Sequence, residues 1–297
     1  MRLLILGGNG MLGHQLWRSL QAKHDVWVTL RRPVTDFTSK RLFDPSKSIQ
    51  VKDITDNYTI EQTLNQAQPE AVINCVGVIK QLDEAQNEIK CRKVNAEFPH
   101  QLAKKCKQLS SRLIHFSTDC VFNGTKGNYS EDDPPDATDL YGKTKQQGEV
   151  KESHCVTIRS SVIGHEIDSN LSLLGWFLSQ KGKTIRGFTR AIYTGFTTLE
   201  MANIVEFILT QHQTLFGLWQ VASEPMSKFD LLKLCQSKLD WQGKIEPDDS
   251  FVCDRSLNGE RFKLATGYEP PSWEKMITEL SQLHEEKVPY YISYSRL

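Results

Sequence analysis

The stretch RLLILGGNGMLG, residues 2–13, constrains the fold more than any other. A short apolar run stopped at once by glycine reads as a buried parallel strand. Met11, Leu12, Leu16 and Leu20 then recur at helical spacing. The turn between them is Gly7-x-x-Gly10-x-x-Gly13, so little side chain stands between the backbone N–H groups, a helix N-terminus and any pyrophosphate that approaches. Three glycines alone say little. Set between the first strand and first helix of a βαβ unit, with Met11 and Leu12 in the same turn, they become informative.

Strand and helix alternate after this start. DVWVTLRR reads as a second strand, TIEQTLNQAQ as a helix, EAVINCVG as a strand, and EIKCRKVNAEFPHQLAKKCKQL as a long helix. RLIHFSTDCVF and CVTIRSSVIG are further strands, with YGKTKQQGEVKES helical between them. This pattern predicts an α/β fold, a doubly wound parallel sheet of the Rossmann type. The regularity weakens after Gly164. Residues 1–164 plus roughly 191–222 are expected to form the dinucleotide-binding domain. Roughly 165–190 and 223–297 form a smaller, mixed substrate domain of small helices around irregular segments. The length of 297 residues suits such a division.

Two local features bear on the cofactor. An acidic residue commonly ends the second strand and binds the adenosine ribose; here Arg31 and Arg32 stand there instead. A guanidinium fork pairs with a 2′-phosphate, so NADPH is the expected cofactor, with NADH left open. Asp53 and Ile54 fall in a loop after a third strand, beside the adenine pocket of such folds. Cys75, Val76 and Gly77 end the fourth strand, where the inner ribose passes.

The chemistry points to STDCVFNG, residues 117–124, and YGKTK, residues 141–145. Tyr141 and Lys145 are four apart and share one helix face. A phenol with an ordinary pKa of about 10 is a poor acid at neutral pH, and a neighbouring ammonium favours its phenolate. Lys145 also reaches toward the ribose of a nicotinamide cofactor. Thr118, at a strand carboxyl end, offers a hydroxyl to the same substrate oxygen. The set suits carbonyl reduction, with Tyr141 as proton donor.

With these residues the chain resembles the extended short-chain dehydrogenase/reductases. Within them it resembles the reductases of nucleotide-linked 4-keto-6-deoxy sugars typified by dTDP-4-dehydrorhamnose reductase. GGNGMLG, STDCVFNGTKGNYSEDD, YGKTKQQGE and RSSVIG carry the likeness, with CDRSLNGERF and PPSW in support. The resemblance implies catalytic roles for Thr118, Tyr141 and Lys145, and a supporting role for Asn95 in KVNAEFPH. It implies a nucleotide-sugar substrate in deoxysugar and cell-surface polysaccharide biosynthesis. Asp119, Cys120, Val121, Phe122, Trp176, Arg190 and Arg255 become candidate substrate contacts, with Asp254 and Ser256 beside them. The family often has Tyr where Cys120 stands.

Composition bounds the rest. Lys plus Arg and Asp plus Glu are each 36, so no charge excess points to nucleic acid or a membrane surface. The seven cysteines form no C-x-x-C pair, which argues against zinc and for reduced thiols in a cytoplasmic protein. The apolar N-terminus is too short for a signal peptide. The acidic run EDDPPDATD lacks the spacing of a calcium loop, so no metal is expected. A homodimer is left open. Two other functions use the same residues: an epimerase or dehydratase with tightly held NAD, and a non-catalytic NADP-binding regulatory subunit.

Overall fold

The computed structural model of the chain describes residues 1–40, 42–81 and 83–285. Its strands are β1 (Arg2–Leu6), β2 (Asp25–Leu30), β3 (Ser48–Gln50), β4 (Ala71–Asn74), β5 (Arg112–Phe116), β6 (Cys155–Arg159), β7 (Val162–Ile163), β8 (Thr184–Tyr193), β9 (Phe196–Thr197), β10 (Gly217–Gln220), β11 (Met226–Ser227) and β12 (Lys244–Asp254). The helices are α1 (Met11–Leu20), α2 (Asn57–Ala67), α3 (Glu88–Cys91), α4 (Phe98–Gln108), α5 (Leu140–Gln147), α6 (Leu173–Ser179), α7 (Thr198–Gln211), α8 (Lys228–Lys238), α9 (Glu260–Thr266) and α10 (Trp273–Glu285). Between α3 and α4, Arg92–Glu97 winds as one stretch of π-helix.

Seven strands form one sheet in the order β10-β6-β5-β4-β1-β2-β3. From β6 to β3 every neighbouring pair runs parallel. The chain builds β1, β2 and β3 outward on one side, then returns to build β4, β5 and β6 on the other. The topological switch point therefore lies between β1 and β4, where such sheets bind ligands at their carboxyl ends. Leu3 to Leu6 of β1 are wholly buried, as a strand covered on both faces requires. Leu4, Leu6, Val72 and Leu113 of the sheet pack with Ile60 and Leu64 of α2 and Phe98, Leu102 and Cys106 of α4. Burying each large apolar side chain contributes about 1.5–3 kcal/mol. Asp56 starts α2 by accepting the Thr59 N–H at 2.8 Å, and Gln68 ends it at φ 43°.

The chain divides into two compact units. The first holds residues 1–118, 138–158 and 202–218; the second holds 119–137, 159–201 and 219 onward. In the second unit β11, β8 and β12 form a sheet of their own. β12 runs parallel to β8, with a shift of register between Asp248 and Val252, and β11 runs antiparallel. The irregular segments read from the sequence are thus two long strands here. Leu231, Leu232 and Cys235 of α8 and Trp273, Met276, Ile277 and Leu280 of α10 are buried. Trp241 stacks on Phe177 at 4.6 Å and donates its indole N–H to the Phe177 carbonyl at 2.8 Å. Among the described residues no helix is long and apolar enough to cross a membrane.

Candidate active site

The glycine turn after β1 is tight because it must be. A Cβ on Gly13 would lie 2.2 Å from the Gly7 carbonyl oxygen, and one on Gly8 would lie 2.2 Å from Val28 Cγ2. Gly7 sits at φ 87° with its missing Cβ facing the Cys75 backbone at 3.2 Å. α1 therefore starts directly on the turn, with Gly10 as its cap and no side chain closing its first N–H groups. This is a cradle for an anion, and the residues fit a pyrophosphate. Met11 and Leu12 are half-buried on the first turn.

Neighbouring residues hold the cradle. Thr29 of β2 accepts the Gly7 N–H through its hydroxyl at 3.0 Å and the Gly8 N–H through its carbonyl at 2.9 Å. Asn9 accepts the Arg31 backbone N–H at 2.7 Å, tying the turn to the end of β2. Arg31 and Arg32 are both exposed there. Arg32 lies over the Phe37 ring at 4.7 Å and 4.0 Å from Asp36. The Asp53 carboxylate accepts from Thr55 and from Lys93 Nζ at 2.9 Å; the Thr55 hydroxyl and the lysine hold its pKa below the ordinary value. Ile54 is buried.

Beyond β4, Asn74 accepts the Val76 N–H at 3.1 Å, and Asn95 clamps Val78 by accepting its N–H at 2.9 Å and donating to its carbonyl at 3.1 Å. Asn95 stands in the π-helical stretch, a local device that often marks a site. Cys75 and Val76 are half-buried and Gly77 is exposed between these anchors. Burial pushes the Cys75 thiol above its ordinary pKa.

Thr118 follows β5 directly and is 7 % exposed. Asp139 caps α5 by accepting the Gly142 N–H at 2.8 Å, which sets Tyr141 on the first turn, half-buried. One turn on, Lys145 is buried and donates from Nζ to the Phe116 carbonyl of β5 at 2.6 Å. Desolvation lowers its pKa to about 8, and the nearby Glu149 carboxylate opposes that fall. Ser117 donates to Glu149 Oε1 at 2.7 Å. His115 lies fully buried on β5, held far below its ordinary pKa by desolvation, so its ring is neutral. Its Nδ1 accepts from the Asn74 amide at 3.1 Å, which leaves the proton on Nε2.

In the second unit, Asp119, Cys120 and Val121 form a short 3₁₀ turn. Arg255 grips this segment, donating from Nε to the Phe122 carbonyl at 2.8 Å and from Nη1 to Cys120 Sγ at 3.4 Å. Val121 and Phe122 are wholly buried, with Phe122 stacked on Tyr129 at 4.1 Å. Their side chains build the local core, and Cys120 is the half-buried member of the turn. The Asp254 carboxylate and the Ser256 hydroxyl accept backbone N–H groups of Ser256 and Asn128, so both pin loops. Arg190, exposed on β8, and Trp176, 38 % exposed on α6, share no hydrogen bond or ring contact with the Arg255 group among the described residues. Asn9, Thr29, His115 and Glu149 carry no role in the sequence reading, and Ser117 stands there only as part of the S-T-D stretch. Only Glu149, four residues after Lys145 on one helical face, had a local signal.

A doubly wound parallel sheet, a glycine cradle at its switch point, Thr118 just past the carboxyl end of β5 and Tyr141 and Lys145 one turn apart on α5 define a Rossmann-type protein of the extended short-chain dehydrogenase/reductase class. The chain belongs to the RmlD substrate binding domain family, whose model matches residues 1–284. It is 32% identical over 149 residues to dTDP-4-keto-6-deoxy-D-glucose reductase of Streptomyces niveus, which is 50% of this chain and 46% of that one. It is 29% identical over 155 residues to methionine adenosyltransferase 2 subunit beta of Bos taurus, 50% of this chain and 41% of that one. The chain thus matches under half the length of these curated relatives. The crystal structure of dTDP-4-dehydrorhamnose reductase from Bacillus anthracis in complex with NADP superposes with a TM-score of 0.77 at 21% identity, covering 94% of this chain and 98% of that one. At that identity the likeness is one of fold.

Proposed function

We propose that the protein is an NADPH-dependent reductase of a nucleotide-activated 4-keto-6-deoxy sugar, acting in deoxysugar and cell-surface polysaccharide biosynthesis. The observation that carries this reading is the burial of Lys145 against the Phe116 carbonyl, one turn along α5 from Tyr141 and two residues before Thr118 on the strand end. A buried ammonium one turn from a phenol lowers the cost of releasing the phenolic proton. Tyr141 gives that proton to the carbonyl oxygen of the sugar, and the Thr118 hydroxyl donates a hydrogen bond to the same oxygen. When bound, NADPH supplies the hydride that reduces the carbonyl carbon. The glycine cradle and the α1 N-terminus hold its pyrophosphate, Lys145 holds its ribose hydroxyls, and Arg31 and Arg32 select its 2′-phosphate. Arg255 and Arg190 supply cations for a diphosphate, and Trp176 offers a ring for a base. The reductase among the relatives and the NADP complex among the similar structures support the substrate class and the cofactor.

A second reading, an NADP-binding subunit without turnover, draws support from the likeness to methionine adenosyltransferase 2 subunit beta. The presence of all three of Thr118, Tyr141 and Lys145 favours catalysis. The two part in one assay: purified protein with NADPH and a panel of dTDP- and UDP-linked 4-keto-6-deoxy sugars. Oxidation of NADPH that depends on one of these sugars is expected. Tight NADPH binding with no oxidation across the panel would turn the assignment to the second reading.

A further inference from the structure

Lys145 is a buried cation, and a buried cation needs a compensating charge close by. The ionisable groups that face it come from three elements. Cys75 stands just past β4, His115 on β5, and Tyr141 and Glu149 lie along and just past α5. Burial raises the Cys75 pKa and lowers that of His115, so both are neutral near pH 7. Among the described residues, the Glu149 carboxylate is the acidic group that supports the Lys145 charge.

The backbone that carries Glu149 is fixed on both sides. A Cβ on Gly148 would lie 1.9 Å from the Asn95 carbonyl oxygen, so α5 ends hard against the π-helical stretch. Val150 is wholly buried, and its carbonyl accepts the Thr157 hydroxyl at 2.6 Å. Glu149 is 8 % exposed, and its carboxylate receives the Ser117 hydroxyl at 2.7 Å. Ser117 is the residue before Thr118. One buried side chain thus meets the strand end that carries the hydroxyl and sits electrostatically beside the amine.

We propose that Glu149 is a positioning residue of the active site, a buried carboxylate one turn beyond Lys145 that serves as its counter-charge and ties the Ser117–Thr118 strand end to α5. Glu149 touches no reacting atom in this account. It acts through Lys145 and Thr118. The proposal rests on the reductase reading for its catalytic meaning, but its electrostatic core stands apart from any substrate.

The test is the titration of Lys145 itself, followed by NMR in protein labelled with ¹³C at lysine Cε and assigned with a Lys145→Arg variant. The wild-type pKa is expected near about 8. Glu149→Gln keeps an acceptor for Ser117 and removes the charge. It should move the Lys145 pKa down by on the order of one pH unit or more, since an adjacent opposite charge shifts a pKa by that much. Glu149→Asp keeps the charge and should recover part of the shift. If a sugar substrate turns over, kcat should fall as pH rises through the Lys145 pKa, and this alkaline limb should move to lower pH in Glu149→Gln. A folded Glu149→Gln protein with an unchanged Lys145 pKa overturns the proposal. If that variant does not fold, Ser117→Ala loosens the carboxylate and should produce a smaller downward shift; no shift there also overturns it. Absence of turnover with every sugar would sink the reductase reading and leave the Lys145 titration to decide this one.

Discussion

As the proposed proton donor, Tyr141 would act through a single oxygen, so it is the residue whose loss is easiest to read. Tyr141→Phe removes that oxygen from a half-buried ring and little else. General acid catalysis contributes about a hundred- to ten-thousand-fold. Turnover of the sugar is expected to fall by that order while NADPH affinity, measured by fluorescence titration, stays within about twofold. A Phe variant with near-normal turnover would remove Tyr141 from the chemistry. The Tyr141 and Lys145 pair is legible in the sequence because four-residue spacing is local: any helix there puts both on one face. The Ser117–Glu149 hydrogen bond is not legible, since its partners lie 32 residues apart and meet only once β5 and α5 are packed. The same holds for Thr29, which sits 22 residues from the glycine it holds.

At the scale of elements, two junctions carry the site. The first is α5 against the π-helical stretch. Gly148→Ala would drive a methyl group into the Asn95 carbonyl, which is backbone and cannot swing away. Overpacking of this kind costs about 1–3 kcal/mol or more, and a domain of this size loses roughly 2–4 °C in Tm per kcal/mol. Thermal unfolding should therefore show a Tm several degrees lower; an unchanged Tm would mean that α5 and the π-helical stretch are not in close contact. The second junction is the end of β2. Replacing Arg31 and Arg32 together with serine should weaken NADPH roughly ten- to a hundredfold, one charge-assisted contact being worth about 1.5–3 kcal/mol, and leave NADH nearly unaffected. Equal losses for both cofactors would show that neither arginine reads the 2′-phosphate. The elements of the parallel sheet are legible because β1 and β4 are unbroken apolar runs. β12 is not. KIEPDDSFVCD includes four acidic residues and a proline, and only Ile245 within it is buried, so it carries no apolar alternation to read. β8 alternates better, but Gly187 and four Arg or Thr residues along it dilute the signal.

At the scale of the whole molecule, the glycine cradle is built from local sequence, while the sheet of the second unit is hidden from it. What it does turns on the direction of electron flow. A dehydratase of this kind needs an acid and a base on the sugar, and here Asp119 is followed by Cys120, a thiol that Arg255 holds at 3.4 Å. A thiol with an ordinary pKa of about 8.5 does not replace a carboxylate in pulling a proton from carbon. The reductase account therefore requires NADPH to be consumed one for one with the keto sugar. The direct measurement is mass spectrometry of the product formed from a 4-keto-6-deoxy sugar nucleotide with NADPH deuterated at the transferred position. A gain of about three mass units over the keto sugar is expected, one deuterium and one solvent proton added across the carbonyl, and about two with unlabelled NADPH. Loss of water from a nucleotide hexose without added reductant, or a product without deuterium, would contradict it.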